Sequence, residues 1–89
     1  MKTFGENLKN ERLLCGLTQT QLAQKLGIKQ QQLSEWERNK VEPTLYNIIG
    51  IIKALDITFE DLIDGIEWKH YKIKMNRNYA VLFELFFYC

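Results

Sequence analysis

Apolar positions recur at helical spacing through the first two-thirds of the chain and predict five short helices. Phe4, Leu8 and Arg12 recur every fourth residue and mark a first helix over residues 3–15, with Gly16 as its stop. Three further segments begin at a threonine cap: one runs from Thr18 to Gly27, one from Thr44 to Leu55, and one over 59–63 after Thr58. The segment after Thr44 has a strongly periodic apolar face, with Ile48 expected in the core; its members are Leu45, Ile48, Ile49, Ile52 and Leu55. Another helix is predicted over 30–38, and Asn39 after it favours the left-handed turn that closes a helix. Helices this short are unstable alone, so they must pack together.

The pattern changes after residue 65. Seven of the eleven aromatic residues fall within residues 68–89. Residues 66–75 predict a strand, residues 76–78 a turn, and residues 79–89 a second strand or a short helix. We therefore divide the chain into a domain over residues 1–65 and a C-terminal extension over 66–89, a possible β-hairpin. We expect the extension to be a dimer interface, or alternatively to cover its own domain at the apolar outer positions Leu13 and Leu14.

Residues 19–38, QTQLAQKLGIKQQQLSEWER, have the spacing that two helices joined by a tight turn require. Ala23 supplies the small residue where the helices cross, and Gly27 supplies the turn with positive φ four residues later. The inward positions of both helices are apolar, namely Leu22, Leu26, Ile28, Leu33 and Trp36. The combination predicts a helix-turn-helix unit.

Residues 4–64 resemble the Cro and phage-repressor type (Xre) helix-turn-helix family. The resemblance rests on GLTQTQLAQKLGI, LSEWERNK, Pro43 and KALDITFEDLI. It implies an all-α fold, a five-helix lambda-repressor-like DNA-binding domain with a short C-terminal extension. It also implies sequence-specific binding of double-stranded DNA, by a transcriptional repressor that reads a palindromic operator as a homodimer through the major groove.

The resemblance further implies which residues read DNA bases. The second helix of the motif enters the major groove with its N-terminal end. The positions that face bases correspond to Gln30, Gln31 and Glu35, with Gln32 and Ser34 nearby. A glutamine amide matches N7 and N6 of adenine, and a glutamate accepts from N4 of cytosine. Without the motif, three consecutive glutamines on a surface helix would indicate only solvated side chains.

Phosphate contacts and an internal ion pair follow from the same resemblance. Arg12 and Glu37 match positions that form an internal ion pair in several family members. Lys29 stands where the recognition helix usually has a Ser or Thr cap, and Gln32 is expected to supply half of a capping box instead. The expected phosphate ligands are Gln19, Arg38, Asn39, Lys40 and the amides near Thr44.

The charge of the chain bears on how strongly it is expected to bind DNA. The net charge of +1 gives no bulk attraction to nucleic acid. Residues 1–65 hold eight basic and nine acidic side chains, but the acids gather at residues 56–64, away from the motif. Residues 25–40 hold four basic and two acidic side chains. This distribution predicts weak non-specific affinity, with specificity provided by the glutamines and by pairing of two subunits.

Other classes of chemistry find little support in the sequence. No nucleophile and base pair, metal-ligand set or phosphate-cradling glycine loop is apparent, so we expect no enzyme, cofactor or metal. Cys15 and Cys89 are far apart, and Cys15 is expected to be a small buried hydrophobe. The longest apolar run, residues 79–89, is too short to span a bilayer, and no signal peptide is visible. A reducing, cytoplasmic location and no membrane partner are therefore expected.

Two other functions remain open at this point. The chain would serve as an antitoxin-type interaction module if residues 66–89 bound a partner protein and DNA binding were autoregulatory. It would be an oligomerisation domain without DNA binding if the acidic Glu35 and Glu42 weakened the DNA face. Co-purification from the native host separates the first of these from a simple repressor.

Overall fold

The computed structural model describes residues 2–67, and over that range the chain folds into five α-helices. They are α1 Phe4–Leu14, α2 Gln19–Leu26, α3 Gln30–Glu37, α4 Leu45–Leu55 and α5 Phe59–Ile63. The five-helix all-α prediction is confirmed for these residues. The predicted hairpin and dimer interface fall on the extension, whose residues 68–89 lie outside the described range. No helix within residues 2–67 is long and apolar enough to cross a bilayer.

Four of the five helices begin at a threonine whose hydroxyl accepts a hydrogen bond from the backbone N–H three residues on. These are Thr3, Thr18, Thr44 and Thr58, and the second and fourth complete a full capping box. The exception is α3, which starts after Lys29 without a side-chain cap. Gln32 makes no side-chain hydrogen bond in the described part of the chain, so the half capping box expected of it is wrong. Burial of Leu33 and Trp36 stabilises α3 instead.

Residues in the left-handed backbone conformation follow α2, α3 and α4. Gly27 closes α2 with a φ of 69°, and the chain turns back as the Ile28 N–H donates to the Ala23 carbonyl at 3.0 Å. Asn39 follows α3 with a φ of 60°, as its residue type predicted. Asp56 closes α4 with a φ of 53°, which the sequence pattern did not indicate. The angle between α2 and α3 therefore depends on one glycine turn.

A single core holds the five helices together. Trp36 is its largest member and is 1% exposed. The other buried apolar residues are Leu8, Leu22, Ala23, Leu33, Ile51, Leu55 and Leu62. Each helix contributes at least one of them, so no pair of helices could bury its apolar face without the others.

The buried stripe of α4 differs from the periodic set Leu45, Ile48, Ile49, Ile52 and Leu55 that the sequence suggested. Ile51 and Leu55 are buried, whereas Leu45 and Ile49 are exposed. Ile48, expected in the core, is half-buried and packs against it. The reason is that α4 carries apolar residues around most of its circumference, so spacing alone cannot choose the stripe that faces inward.

Polar contacts fix α1 against α3 and α5. Asn7 is buried, and its Nδ2 donates to the backbone oxygens of Leu62 at 2.8 Å and Asp64 at 2.9 Å. These two carbonyls lie at the end of α5 and would otherwise lack a helical partner. At the other contact, the Gly5 N–H donates to Asn39 Oδ1 at 2.9 Å. The position of α1 is therefore tied to the end of α3.

Two apolar residues are exposed at the C-terminal end of α1. Leu13 and Leu14 are 54% and 81% exposed, in agreement with their expected outward positions. Cys15 is also exposed, so the expectation that it is buried is wrong. It is the C-cap residue of α1, where the chain leaves the core, and its Sγ lies 3.6 Å from the Leu55 backbone oxygen.

Candidate nucleic-acid interface

The start of α3 follows the Gly27 turn at the end of α2 and is exposed to solvent. Leu22 and Ala23 of α2 are buried together with Leu33 of α3, so the two helices pack closely. The buried residues of α3 are Leu33, Trp36 and Glu37. The first turn of α3, with Gln30 and Gln31, is left exposed to solvent.

The structure separates the five candidate base-reading residues into two groups. Gln30 and Gln31 are exposed and adjacent, whereas Gln32, Ser34 and Glu35 are half-buried. The side chain of Gln31 makes no hydrogen bond within the described residues, so its whole amide is available. Gln30 is different because its Nε2 donates to Gln19 Oε1 at 2.6 Å. Its carbonyl oxygen and second amide hydrogen remain available.

Gln19 joins α3 to a buried ion pair. The Arg12 guanidinium donates to the Glu37 carboxylate from Nε at 2.7 Å and from Nη2 at 3.1 Å, and the two side chains are 7% and 3% exposed. Gln19 Nε2 donates to the same carboxylate at 2.9 Å. The ion pair implied by the resemblance is thus present. Gln19, expected only as a phosphate ligand, also bridges this pair to Gln30.

The other candidate phosphate ligands differ in how far their side chains are occupied by internal hydrogen bonds. Lys40 is exposed, and its side chain makes no hydrogen bond in the part of the chain that the structure describes. Arg38 is exposed too, and its side chain makes one long contact, from Nε to the Ser34 carbonyl at 3.4 Å. Asn39 uses its amide internally, since Oδ1 accepts from Gly5 and Nδ2 donates to Thr3 Oγ1 at 2.8 Å. Thr44 caps α4 through its hydroxyl. The two cations are therefore the side chains best placed to contact a polyanion.

Charge around α3 is mildly basic. The four cations of residues 25–40, Lys25, Lys29, Arg38 and Lys40, are all exposed. Of the two acids in this range, Glu37 is neutralised by its buried partner and Glu35 is half-buried. The acidic residues Asp56, Glu60, Asp61 and Asp64 surround α5 and are exposed. The near-neutral total therefore averages two regions of opposite sign.

Two residues that hold the site in place were missed at the sequence level. Asn7 and Gly5 interrupt the apolar pattern of α1 yet are buried in the structure. A polar residue and a glycine beside Phe4 and Leu8 are a weak signal of a close helix contact, because either type also occurs on solvated faces. Their roles became visible only with the positions of α3 and α5.

The sequence is similar to those of known transcriptional regulators. The chain is 34% identical over 64 residues to the HTH-type transcriptional activator BcrR of Enterococcus faecalis, covering 72% of this chain and 31% of that protein. It is 30% identical over 62 residues to Repressor protein C2 of Salmonella phage P22, covering 70% of this chain and 29% of that protein. The chain thus spans about a third of the length of these two relatives.

Two solved structures of helix-turn-helix proteins are similar to this fold. The P22 c2 repressor in complex with a synthetic operator matches with a TM-score of 0.67 and 28% identity, over 73% of this chain and 98% of that chain. The restriction-modification controller protein C.AhdI from Aeromonas hydrophila matches with a TM-score of 0.63 and 34% identity, over 66% of this chain and 89% of that chain. A family profile described as "Helix-turn-helix" matches residues 8–62. With the profile covering more than half of its length, the chain belongs to the helix-turn-helix family, as its sequence motif and the geometry of α2 and α3 require.

Proposed function

We propose that this protein binds double-stranded DNA sequence-specifically as a transcriptional repressor, with α3 as its recognition helix. The observation that carries the proposal is the pair of exposed glutamines at the start of α3. Side chains at this end of a recognition helix reach base edges in the major groove. The P22 repressor, which has the same fold, has been crystallised with an operator, and this supports DNA as the ligand.

Gln30 and Gln31 are the proposed base-reading residues. A glutamine amide offers a donor and an acceptor side by side, which match N7 and N6 of adenine. Each such pair contributes about 1–3 kcal/mol of discrimination against a wrong base. Glu35, half-buried one turn further along α3, is the proposed acceptor for cytosine N4, with Gln32 and Ser34 beside it.

Phosphate contacts would orient the domain on the duplex. Arg38 and Lys40 supply charge just after α3, and they are exposed. The first backbone N–H groups of α2 and α4 are unpaired by helical bonding and favour an anion, which supports contacts near Gln19 and Thr44. Asn39 keeps one amide hydrogen for the same purpose after its internal bond to Thr3. None of these contacts distinguishes one sequence from another.

A homodimer is the proposed active form. One module of this size buries only about 600–1,000 Å² on DNA, which limits both affinity and the length of sequence read. Two copies would read half-sites about one helical turn apart, as a palindromic operator presents them. The seven aromatic residues of residues 68–89 favour the extension as the surface that joins the copies.

A partner protein is the alternative ligand for the extension, with DNA binding then autoregulatory as in an antitoxin. The exposed Leu13 and Leu14 of α1 would suit such a partner equally well. DNA reading is the primary proposal because the glutamines and the cations around α3 need a polar, anionic ligand. Because the proposed ligand is DNA, we also propose a cytoplasmic location for the protein.

Selection from a random pool of duplex DNA with the full chain tests the proposal. We expect enrichment of one inverted-repeat sequence whose half-site centres are about one helical turn apart. A matched selection with Gln30→Ala should return the same spacing with a relaxed preference at one position in each half-site. Failure of the wild-type protein to enrich any sequence over the starting pool would refute sequence-specific binding.

A further inference from the structure

A cleft of about 260 Å³ lies where the helical domain meets the start of the extension. The apolar residues that line it are Phe4, Trp36, Val41 and Ile66. Val41 and Ile66 are 48% and 37% exposed, so part of this apolar lining is open to solvent. The volume is below the roughly 300–1,000 Å³ of most small-molecule sites. A cavity of about 150 Å³ holds a benzene ring, so the cleft has room for one two-ring aromatic side chain.

The extension begins at the edge of this cleft because the end of α5 is held against the start of the chain. Asp64 Oδ2 lies 3.1 Å from Lys2 Nζ. Gly65 then turns the chain with a φ of 73°, and a Cβ on it would lie 3.0 Å from Cδ of Lys2. The next two residues, Ile66 and Glu67, both line the cleft. The path of the chain therefore enters the extension beside Phe4.

Trp68 is the next residue, and its Cα lies about 3.8 Å from that of Glu67. Residues 66–75 predict a strand, in which every second side chain lies on the same side. Since Ile66 lines the cleft, this alternation brings Trp68 to the same side. A buried indole needs an acceptor for its N–H. Glu42 supplies one at the rim, because its carboxylate makes no hydrogen bond within the described part of the chain.

We propose that Trp68 docks in the cleft of its own chain, with its ring against Phe4 and Val41 and its indole N–H donating to the Glu42 carboxylate. Val41 and Glu42 directly follow Lys40, so this contact joins the extension to the loop that carries a proposed phosphate ligand. In a dimer joined by the extension, the contact fixes the point at which the extension leaves each domain. The inference does not rest on DNA binding.

A double-mutant cycle between Trp68→Ala and Val41→Ala in the full chain tests the contact. Urea titration at one protein concentration should show that Trp68→Ala lowers the folding equilibrium constant by about 5- to 30-fold. In the Val41→Ala background the same change should have an effect at least about 2-fold smaller, because part of the contact is already absent. Leu45→Ala is the matched control, since Leu45 is 68% exposed but does not line the cleft. In that background the effect of Trp68→Ala should be unchanged.

Nuclear magnetic resonance of the full chain locates the indole directly. The Trp68 indole N–H resonance is assigned by its loss in Trp68→Phe. Nuclear Overhauser effects should connect the Trp68 ring to the methyl groups of Val41, and Glu42→Ala should shift the indole N–H resonance. In a mixture of isotope-labelled and unlabelled chains, the effects between Trp68 and Val41 should arise within one chain.

Each measurement has a result that overturns the proposal. An effect of Trp68→Ala that is the same with and without Val41→Ala would show that the two side chains are not in contact. Nuclear Overhauser effects between different chains would place Trp68 in the cleft of a second copy and overturn docking within one chain. An indole resonance unmoved by Glu42→Ala would overturn the hydrogen bond. Because no readout involves DNA, these results are independent of whether α3 reads bases.

Discussion

The contact between Gly5 and the end of α3 gives a sharp test of the packing that positions the recognition helix. A Cβ built on Gly5 would lie 2.7 Å from the backbone oxygen of Trp36 and closer still to that of Glu37. Ordinary contact begins at about 3.4 Å, so relief of the Trp36 contact alone requires α1 and α3 to separate by roughly 0.7 Å, and the Glu37 contact requires more. Both obstructing atoms belong to the backbone and cannot rotate away.

Gly5→Ala should therefore destabilise the fold. Overpacking of this kind costs about 1–3 kcal/mol, and loss of the hydrogen bond from Gly5 to Asn39 adds about 0.5–1.5 kcal/mol. The better helix propensity of alanine returns at most about 1 kcal/mol. We expect a net loss of about 1–3 kcal/mol in the free energy of unfolding.

Gly50→Ala is the matched control. Gly50 lies inside α4, and its added Cβ would meet only the mobile end of Leu26, at an ordinary 3.4 Å. The same substitution should therefore raise the free energy of unfolding, by about 0.5–1 kcal/mol. Urea titrations followed by far-ultraviolet circular dichroism measure both values. Equal stability of the two variants, or a Gly5→Ala protein as stable as the wild type, would refute the close contact between α1 and α3.

Three further predictions concern stability, charge and assembly. Asn7→Ala leaves the Leu62 and Asp64 carbonyls without their buried donor, so urea titration should show a loss of about 1–3 kcal/mol, and a neutral change would contradict the capping role. Lys40→Ala should weaken binding to all duplexes and flatten the plot of log K against log salt by about one, whereas an unchanged slope would place Lys40 away from phosphate. A chain ending at Gly65 should sediment as a monomer while the full chain sediments as a dimer, and equal masses would disprove the proposed role of the extension.

Much of the helical domain could be predicted because local rules decide it. The threonine caps at Thr18, Thr44 and Thr58, the Gly27 turn and the left-handed Asn39 depend on the chemistry of a few neighbouring residues, and the structure has all of them. The buried positions of α2 and α3 were also predictable, since their apolar residues lie on one narrow face.

Features that depend on distant parts of the chain could not be predicted. The inward stripe of α4 is chosen by contacts with other helices, because Leu45, Ile49 and Ile51 are equally apolar. Asn7 is buried only because the end of α5, about 55 residues away, needs a donor. Likewise, nothing in the sequence around Gln19 indicates that its amide lies between Glu37 and Gln30.

The reading of bases by the start of α3 is most directly tested at Gln31, whose exposed amide has no hydrogen bond in the described chain to complicate the result. The measurement is the affinity of full-length wild-type and Gln31→Ala protein, at one fixed salt concentration, for the selected duplex and for its single-base variants. We predict that the wild type discriminates at one base pair by about 1–3 kcal/mol, and that Gln31→Ala loses this preference while keeping those at other positions. Identical base preferences in the two proteins would contradict the assignment of α3 as the recognition helix.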